Sequence, residues 1–343
     1  MNRMNKFLYS CIICIISNYK YFILFAYLII MSHDGGSEGE STSKELKCSP
    51  HSDDEKHSVD ESKTCYSNNS LEKLKAAWNA RHSDEPITTN DPNEVWAFLR
   101  QQMSRVCKNE ACWLRKLLIL EDKGKYRDLL NYTFAPRAPK TWIKKPTTWL
   151  TSVDIENVMK QYEHAYPSFM FLGPAPIDFD AKMETGEYVW KDIHDFNIEN
   201  MIKRGKRHFG FIFNTDPHTK SGAHWISMFV DVRNAFIFFF DSTSDDIPSE
   251  VKALADRIIE AGHNLTPKLN LKLIVNKKDH QYKNTECGMY SIFMIINVLT
   301  GKMKPSDFAV KRISDEFMMK FRKTYFNSAN IEDVPPGPSD TFD

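Results

Sequence analysis

Cys287 is the residue of this 343-residue chain best placed to do covalent chemistry. A thiol with an ordinary pKa near ~8.5 is only a few per cent ionised at neutral pH, so a nucleophilic cysteine needs surroundings that favour the anion. The apolar run Gly288 to Leu299, stopped by Gly301, predicts a buried helix that begins at Cys287. Its free N–H groups and positive dipole end would face the sulfur. Gly288 would let the backbone approach a substrate closely. Alone, a cysteine ahead of an apolar helix is more often core filler, so its company decides the matter. His224 opens a strand-like run to Asp231, and Asp241 closes the next one, Ala235 to Phe240, with Val232-Arg233-Asn234 as the turn. Antiparallel pairing brings the start of one run to the end of the other, where one hydrogen bond would fix the imidazole. Gln281, six residues before Cys287 in a polar connection, offers an amide that could join the Cys287 N–H in holding an oxyanion. Together these side chains specify nucleophilic acyl transfer, with Cys287 attacking, His224 as base, Asp241 orienting it and Gln281 as oxyanion donor. His208 and His218 have no acid placed at the end of a facing strand, His263 follows a helix-stopping glycine, and His280, beside Gln281, is the weaker rival for the base.

Such a site needs a sheet whose edge meets a helix start. Strand-like runs at 208–214, 224–231 and 235–240, with another at 269–275, supply the sheet. A helix from about Pro248 to Ala261 is stopped by Gly262. Upstream, Leu71, Leu74, Ala77 and Trp78 recur at helical spacing behind Ser70. Asp91-Pro92-Asn93-Glu94 caps a second helix carrying Trp96, Leu99, Met103 and Val106, and Trp113 to Leu118 predicts a third. Thr151-Ser152-Val153-Asp154 forms a capping box ahead of Ile155, Val158, Met159 and Tyr162. The expected class is therefore α+β: a mixed central sheet flanked by helices, the nucleophile at a helix N-terminus, and a helical N-terminal extension.

Lys plus Arg equals Asp plus Glu at 45 each, so no excess charge points to nucleic acid or an anionic membrane, and protein substrates remain open. Seven cysteines at irregular positions give no disulfide framework, which implies a reducing, intracellular setting. Cys107 and Cys112 have no second pair at zinc-ligand spacing, so they are expected to be core filler and no metal is expected. Residues 1–30 are apolar, yet Asn18 and Lys20 interrupt the run. They read either as a membrane anchor or as sequence upstream of a start at Met31, and they are the only part that points to a membrane. The expected organisation is this apolar segment, a disordered linker at 31–70 rich in Ser, Glu, Asp, Lys and Gly, a helical region at 71–140, a catalytic domain at 141–326 and a flexible tail at 327–343.

The stretches Gly222-Ala223-His224-Trp225, Phe240-Asp241-Ser242, and Gln281 followed by Glu286-Cys287-Gly288 resemble the SUMO-protease and adenovirus-protease superfamily, with its order His, Asp, Gln, Cys. More narrowly, Ala77-Trp78-Asn79, Glu110-Ala111-Cys112-Trp113-Leu114 and the 171–179 segment Phe-Leu-Gly-Pro-Ala-Pro-Ile-Asp-Phe are similar to the thiol proteases of large nucleocytoplasmic DNA viruses. The resemblance covers roughly Leu71 to Lys304. It implies the four roles given above, and it aligns Trp149-Leu150 with the family's tryptophan-bearing approach to the site. It further implies a cysteine endopeptidase needing no cofactor, viral precursor and structural proteins as substrates, and residence in the virion and host cytoplasm. Trp149 and Trp225, with Gly288, are the expected substrate-binding residues, their indoles walling a slot that favours glycine before the cut. The alternatives are an isopeptidase acting on SUMO or ubiquitin-like conjugates and a non-catalytic binding protein that keeps the fold.

Overall fold

The computed structural model describes residues 46–52, 54–118 and 123–339. The expected apolar segment at 1–30 lies outside them. Among the described residues, no helix is long and apolar enough to cross a membrane.

Five strands form one sheet in the order β1-β2-β3-β4-β5. They are β1 (Phe169–Pro176), β2 (His208–Asn214), β3 (Trp225–Asp231), β4 (Phe236–Phe240) and β5 (Lys272–Val275). β2, β3 and β4 pair antiparallel, while β1 on β2 and β5 on β4 are parallel, so the sheet is mixed. The central strands are apolar at nearly every position because both faces are covered. Trp225 and Phe229 of β3, Phe238 and Phe240 of β4 and Ile212 of β2 point into one core. Their alternates Ile226, Met228, Val230, Ile237, Phe239, Phe211 and Phe213 point into another. The period of two thus divides each strand between two cores rather than between core and water.

Before the sheet come α1 (Asn68–Asn79), α2 (Pro92–Met103), α3 (Ala111–Leu117), α4 (Lys123–Tyr132), a 3₁₀ turn at Lys140–Ile143 and α5 (Ser152–Ala165). The short α6 (Lys191–His194) and α7 (Ile198–Lys203) follow β1. Then come α8 (Ser249–His263), α9 (Cys287–Leu299), α10 (Pro305–Val310) and α11 (Asp315–Tyr325). α9 is buried from Cys287 to Val298 and packs on β3. The capping box of α5 is present, with Thr151 and Asp154 satisfying each other's backbone N–H groups. Asp91 caps α2 through the Asn93 N–H. α1 begins earlier than Ser70: Ser67 is the cap and accepts from the Ser70 N–H. Gly262 does not stop α8, which runs on to His263; a Cβ on it would lie 3.0 Å from the Leu269 carbonyl oxygen.

Three expectations are corrected. Residues 46–70 are not a disordered linker where described: Leu46, Val59, Cys65 and Tyr66 are all buried in the N-terminal core with Leu71, Leu74 and Trp113. The tail is packed from 327 to 339. Asn327 donates to the Lys47 and Ala135 carbonyls (2.9 and 2.8 Å) and accepts from the Lys47 N–H (2.7 Å), and Val334 is 1% exposed in that same core. The cysteines are not unpaired filler: Cys48 bonds Cys65 and Cys107 bonds Cys112, leaving Cys287 as the free cysteine among the described residues. The first two share a cause. Ser, Lys, Asp and Pro-rich segments carry little periodicity, and they are ordered by partners distant in sequence.

Candidate active site

Antiparallel pairing of β3 with β4, in register Ser227 opposite Phe240, brings the residue before β3 next to the residue after β4. His224 Nε2 and Asp241 Oδ1 are 2.8 Å apart. Asp241 is buried, and the same oxygen accepts from the Thr243 N–H and hydroxyl, each at 2.8 Å. Asn276 in turn donates to the Asp241 carbonyl at 2.7 Å. The Thr243 donors and the Asn276 bond to the main chain keep the carboxylate aimed at the imidazole.

His224 also bonds the Cys287 thiol. Burial opposes the imidazolium, but the hydrogen bonds to Asp241 and Cys287 and their negative charge outweigh it, and the His224 pKa is pushed up to about 10. Cys287 is 1% exposed at the first residue of α9. It therefore meets the free N–H groups of a long helix on one side and a protonated imidazole on the other.

Gln281 is buried beside this cluster. Its backbone N–H donates to the Ser242 carbonyl (2.9 Å), its Oε1 accepts from the Ser242 hydroxyl (2.8 Å), and its amide N–H₂ donates to the Lys283 carbonyl. Ser242 follows Asp241, so glutamine and acid are held by one turn. His280 is not a competing base: it lies in the core, where burial and the positive charges of Lys278 and Arg312 hold its pKa down at about 4, and its Nδ1 accepts from the Ile313 N–H at 3.1 Å.

Gly288 differs from the sequence expectation. A Cβ there would lie 3.1 Å from Leu150 Cβ and 3.2 Å from Trp225 Cδ1, so its smallness is taken up by packing within the protein. Trp225 is buried, with its indole N–H on the Leu150 carbonyl at 3.1 Å, and Trp149 is half-buried beside Leu150. The approach segment is thereby fastened to the residue that follows the histidine.

Sequence reasoning missed the clamp behind the nucleophile. Glu286, next to Cys287, is fully buried and receives two hydrogen bonds from Arg322 of α11, at 2.8 and 2.9 Å. The same guanidinium donates to the Thr148 and Thr285 carbonyls and stacks 4.3 Å over Trp142. A charged residue in the otherwise apolar Glu286–Leu299 neighbourhood was the available signal, because a buried acid requires a partner.

A buried thiol at a helix start, bonded to an imidazole that is held in turn by a buried carboxylate, on a mixed sheet flanked by helices, is the arrangement of a cysteine peptidase. Comparison with known proteins agrees. Residues 206–334 match the Ulp1 protease family, C-terminal catalytic domain. It is 26% identical over 267 residues to a SUMO-1 cysteine protease of African swine fever virus, covering 72% of this chain and 93% of that one. It is likewise 26% identical over 242 residues to a protein of Acanthamoeba polyphaga mimivirus that bears the name of a thiol protease, covering 70% and 76%. The selenomethionine crystal structure of the African swine fever virus protease superposes with a TM-score of 0.56 at 21% identity, covering 83% of this chain and 96% of that one. The protein is thus a cysteine-type peptidase that acts on protein substrates.

Proposed function

We propose that the chain is an endopeptidase that matures viral precursor and structural proteins in the virion and host cytoplasm, with Cys287 as nucleophile. The observation that carries this reading is the sharing of His224 between the Asp241 carboxylate and the Cys287 thiol. The thiolate attacks the scissile carbonyl, and the Cys287 N–H with the Gln281 amide receives the oxyanion, which requires Gln281 to turn from Lys283. The His224 imidazolium hands its proton to the leaving amine, releasing it and leaving a thioester. Neutral His224 then takes a proton from water, whose attack frees the acid and restores the thiolate–imidazolium pair. The reaction needs no cofactor.

The slot itself rests on the resemblance of Trp149-Leu150 and Trp225 to the family's approach to the site, with Trp225 held on the Leu150 carbonyl, and it predicts glycine before the cut. Peptides with leucine in place of that glycine are expected to be cleaved orders of magnitude more slowly; equal rates would reject the slot. A second reading, release of SUMO or ubiquitin-like proteins from conjugates, is favoured by the Ulp1-family match at 206–334. Incubating the purified chain with virion precursors and with SUMO conjugates, and mapping new termini by mass spectrometry, separates the two. Cleavage of conjugates alone would replace the first reading with the second, and cleavage of neither would leave the binding-protein alternative.

A further inference from the structure

Outside the catalytic cluster, one group of side chains has the composition of a metal site. His51, Glu55 and His57 converge in the irregular segment ahead of α1, their nearest ligand atoms all within 4.8 Å of one another. His51 Nδ1 and Glu55 Oε2 are 3.5 Å apart, and the two imidazole centroids lie 4.2 Å apart. A tetrahedral zinc with bonds of ~2.0–2.2 Å spaces its ligand atoms by roughly 3.4 Å. The His51–Glu55 pair is already at that separation, and His57, within 4.8 Å, needs to close by at most about 1.4 Å.

The loop that carries them is held from several directions. Cys48 and Cys65, 17 residues apart, enclose all three ligands in one covalent ring. The Ser49 N–H donates to the Thr133 carbonyl (3.1 Å) and the Glu55 N–H to the Ser52 carbonyl (3.0 Å). Asn68 bonds Ser58 twice, at 2.8 Å each, and its N–H donates to the Lys56 carbonyl. The ligands therefore sit on a fixed frame at the start of α1, which lowers the ordering entropy a cation would otherwise have to overcome.

We propose that His51, Glu55 and His57 bind a divalent late first-row cation, of which Zn²⁺ is the type, with solvent in the fourth position. Two imidazoles and one carboxylate suit zinc and its neighbours, whereas magnesium and calcium favour all-oxygen sites. The ion would cross-link the 51–57 loop on itself and would take no part in peptide hydrolysis.

The test uses the full chain carrying Cys287→Ala, so that the nucleophile cannot hold the probe. Titration with ZnCl₂ should show one site by calorimetry and a Tm that rises with zinc concentration, as binding to the folded state requires, while MgCl₂ should not. His51→Ala/His57→Ala in the same background should lose that rise. Glu55→Gln, which preserves shape if the double variant folds poorly, should weaken zinc binding by at least about 100-fold. No zinc-dependent rise in the parent, or the same rise and affinity in both variants, would overturn the site. Variants that merely lower Tm to the same extent with and without zinc would show an ordinary ion pair and overturn it equally.

Discussion

The catalytic sheet and the N-terminal region hold their side chains by different means. The sheet is cemented by apolar strands buried on both faces, and its one functional cluster is assembled by a short hairpin and a helix start. The N-terminal region depends on polar and covalent cross-links as well. Glu110 accepts from Thr64 and Trp96 through its carboxylate and from Tyr66 through its carbonyl, and two disulfides close its irregular loops. In the first region a lost polar group matters where it leaves a buried charge unpaired, whereas in the second a cut link costs the closure of one loop.

The largest expected effect falls on chemistry alone. Cys287→Ala and His224→Ala should each lower turnover on the order of 10⁶-fold, because residues acting as a unit are not additive. Gln281→Ala should cost about 10²–10³-fold. Cys287→Ala should leave the unfolding curve in place, and retained cleavage by that variant would remove it as nucleophile.

Next comes the clamp, where the apolar core of the sheet contains a charge. Arg322→Met leaves the Glu286 carboxylate buried without its partner and should destabilise by about 3–5 kcal/mol. It should also raise the pH midpoint of iodoacetamide alkylation of Cys287, since an uncompensated negative charge beside the sulfur opposes the thiolate. Glu286→Gln/Arg322→Met should restore that midpoint even if stability stays low. An unchanged midpoint in Arg322→Met would reduce the pair to packing.

Both features show what was legible in the chain. The Asp91-Pro92 and Thr151–Asp154 caps and the His224–Asp241 hairpin are local patterns, so their geometry followed from spacing. Arg322 reaches Glu286 from 36 residues away, and nothing in the α11 periodicity announces it. β1 carries no strand period in its sequence because Gly173-Pro174 interrupts it, with the pairing to β2 shifting between Leu172 and Ala175. Gly173 sits at φ +126 where a Cβ would lie 2.6 Å from the Ile212 carbonyl, a requirement visible only once β2 is alongside.

A third expectation contrasts the regions by pH. The His280 pKa, held down to about 4 by burial and nearby cations, lies below its unfolded value. Folding therefore favours the neutral ring: this stability is present in full above pH ~6.5 and is lost as pH falls towards about 4, by about 3 kcal/mol in all. Denaturant midpoints recorded across that window should fall in the parent and fall less in His280→Gln. Parallel curves would exclude His280 as the source.

The smallest effect should be confined to the cross-linked region. Cys48→Ser opens a 17-residue loop and should cost up to about 3 kcal/mol, while Cys107→Ser, opening a 5-residue one, should cost less. Hydrogen exchange should quicken around α1 and α3 in these variants, with turnover of a short peptide unchanged at ~25 °C. Equal loss of protection in α9 would show that the two regions unfold as one.

The strap from Asn327 to Ser339 gives the molecule a timing as well as a shape. Synthesis runs from the amino end, yet Val334 belongs to the core around Leu71 and Trp113, and Asn327 bridges Lys47 to Ala135. The earliest described segment thus waits for the latest before its packing is complete. A nascent chain whose translation stops short of the strap carries every residue of the catalytic cluster and still exposes an unfinished apolar surface, which marks it for a chaperone or for degradation before it can act as a peptidase.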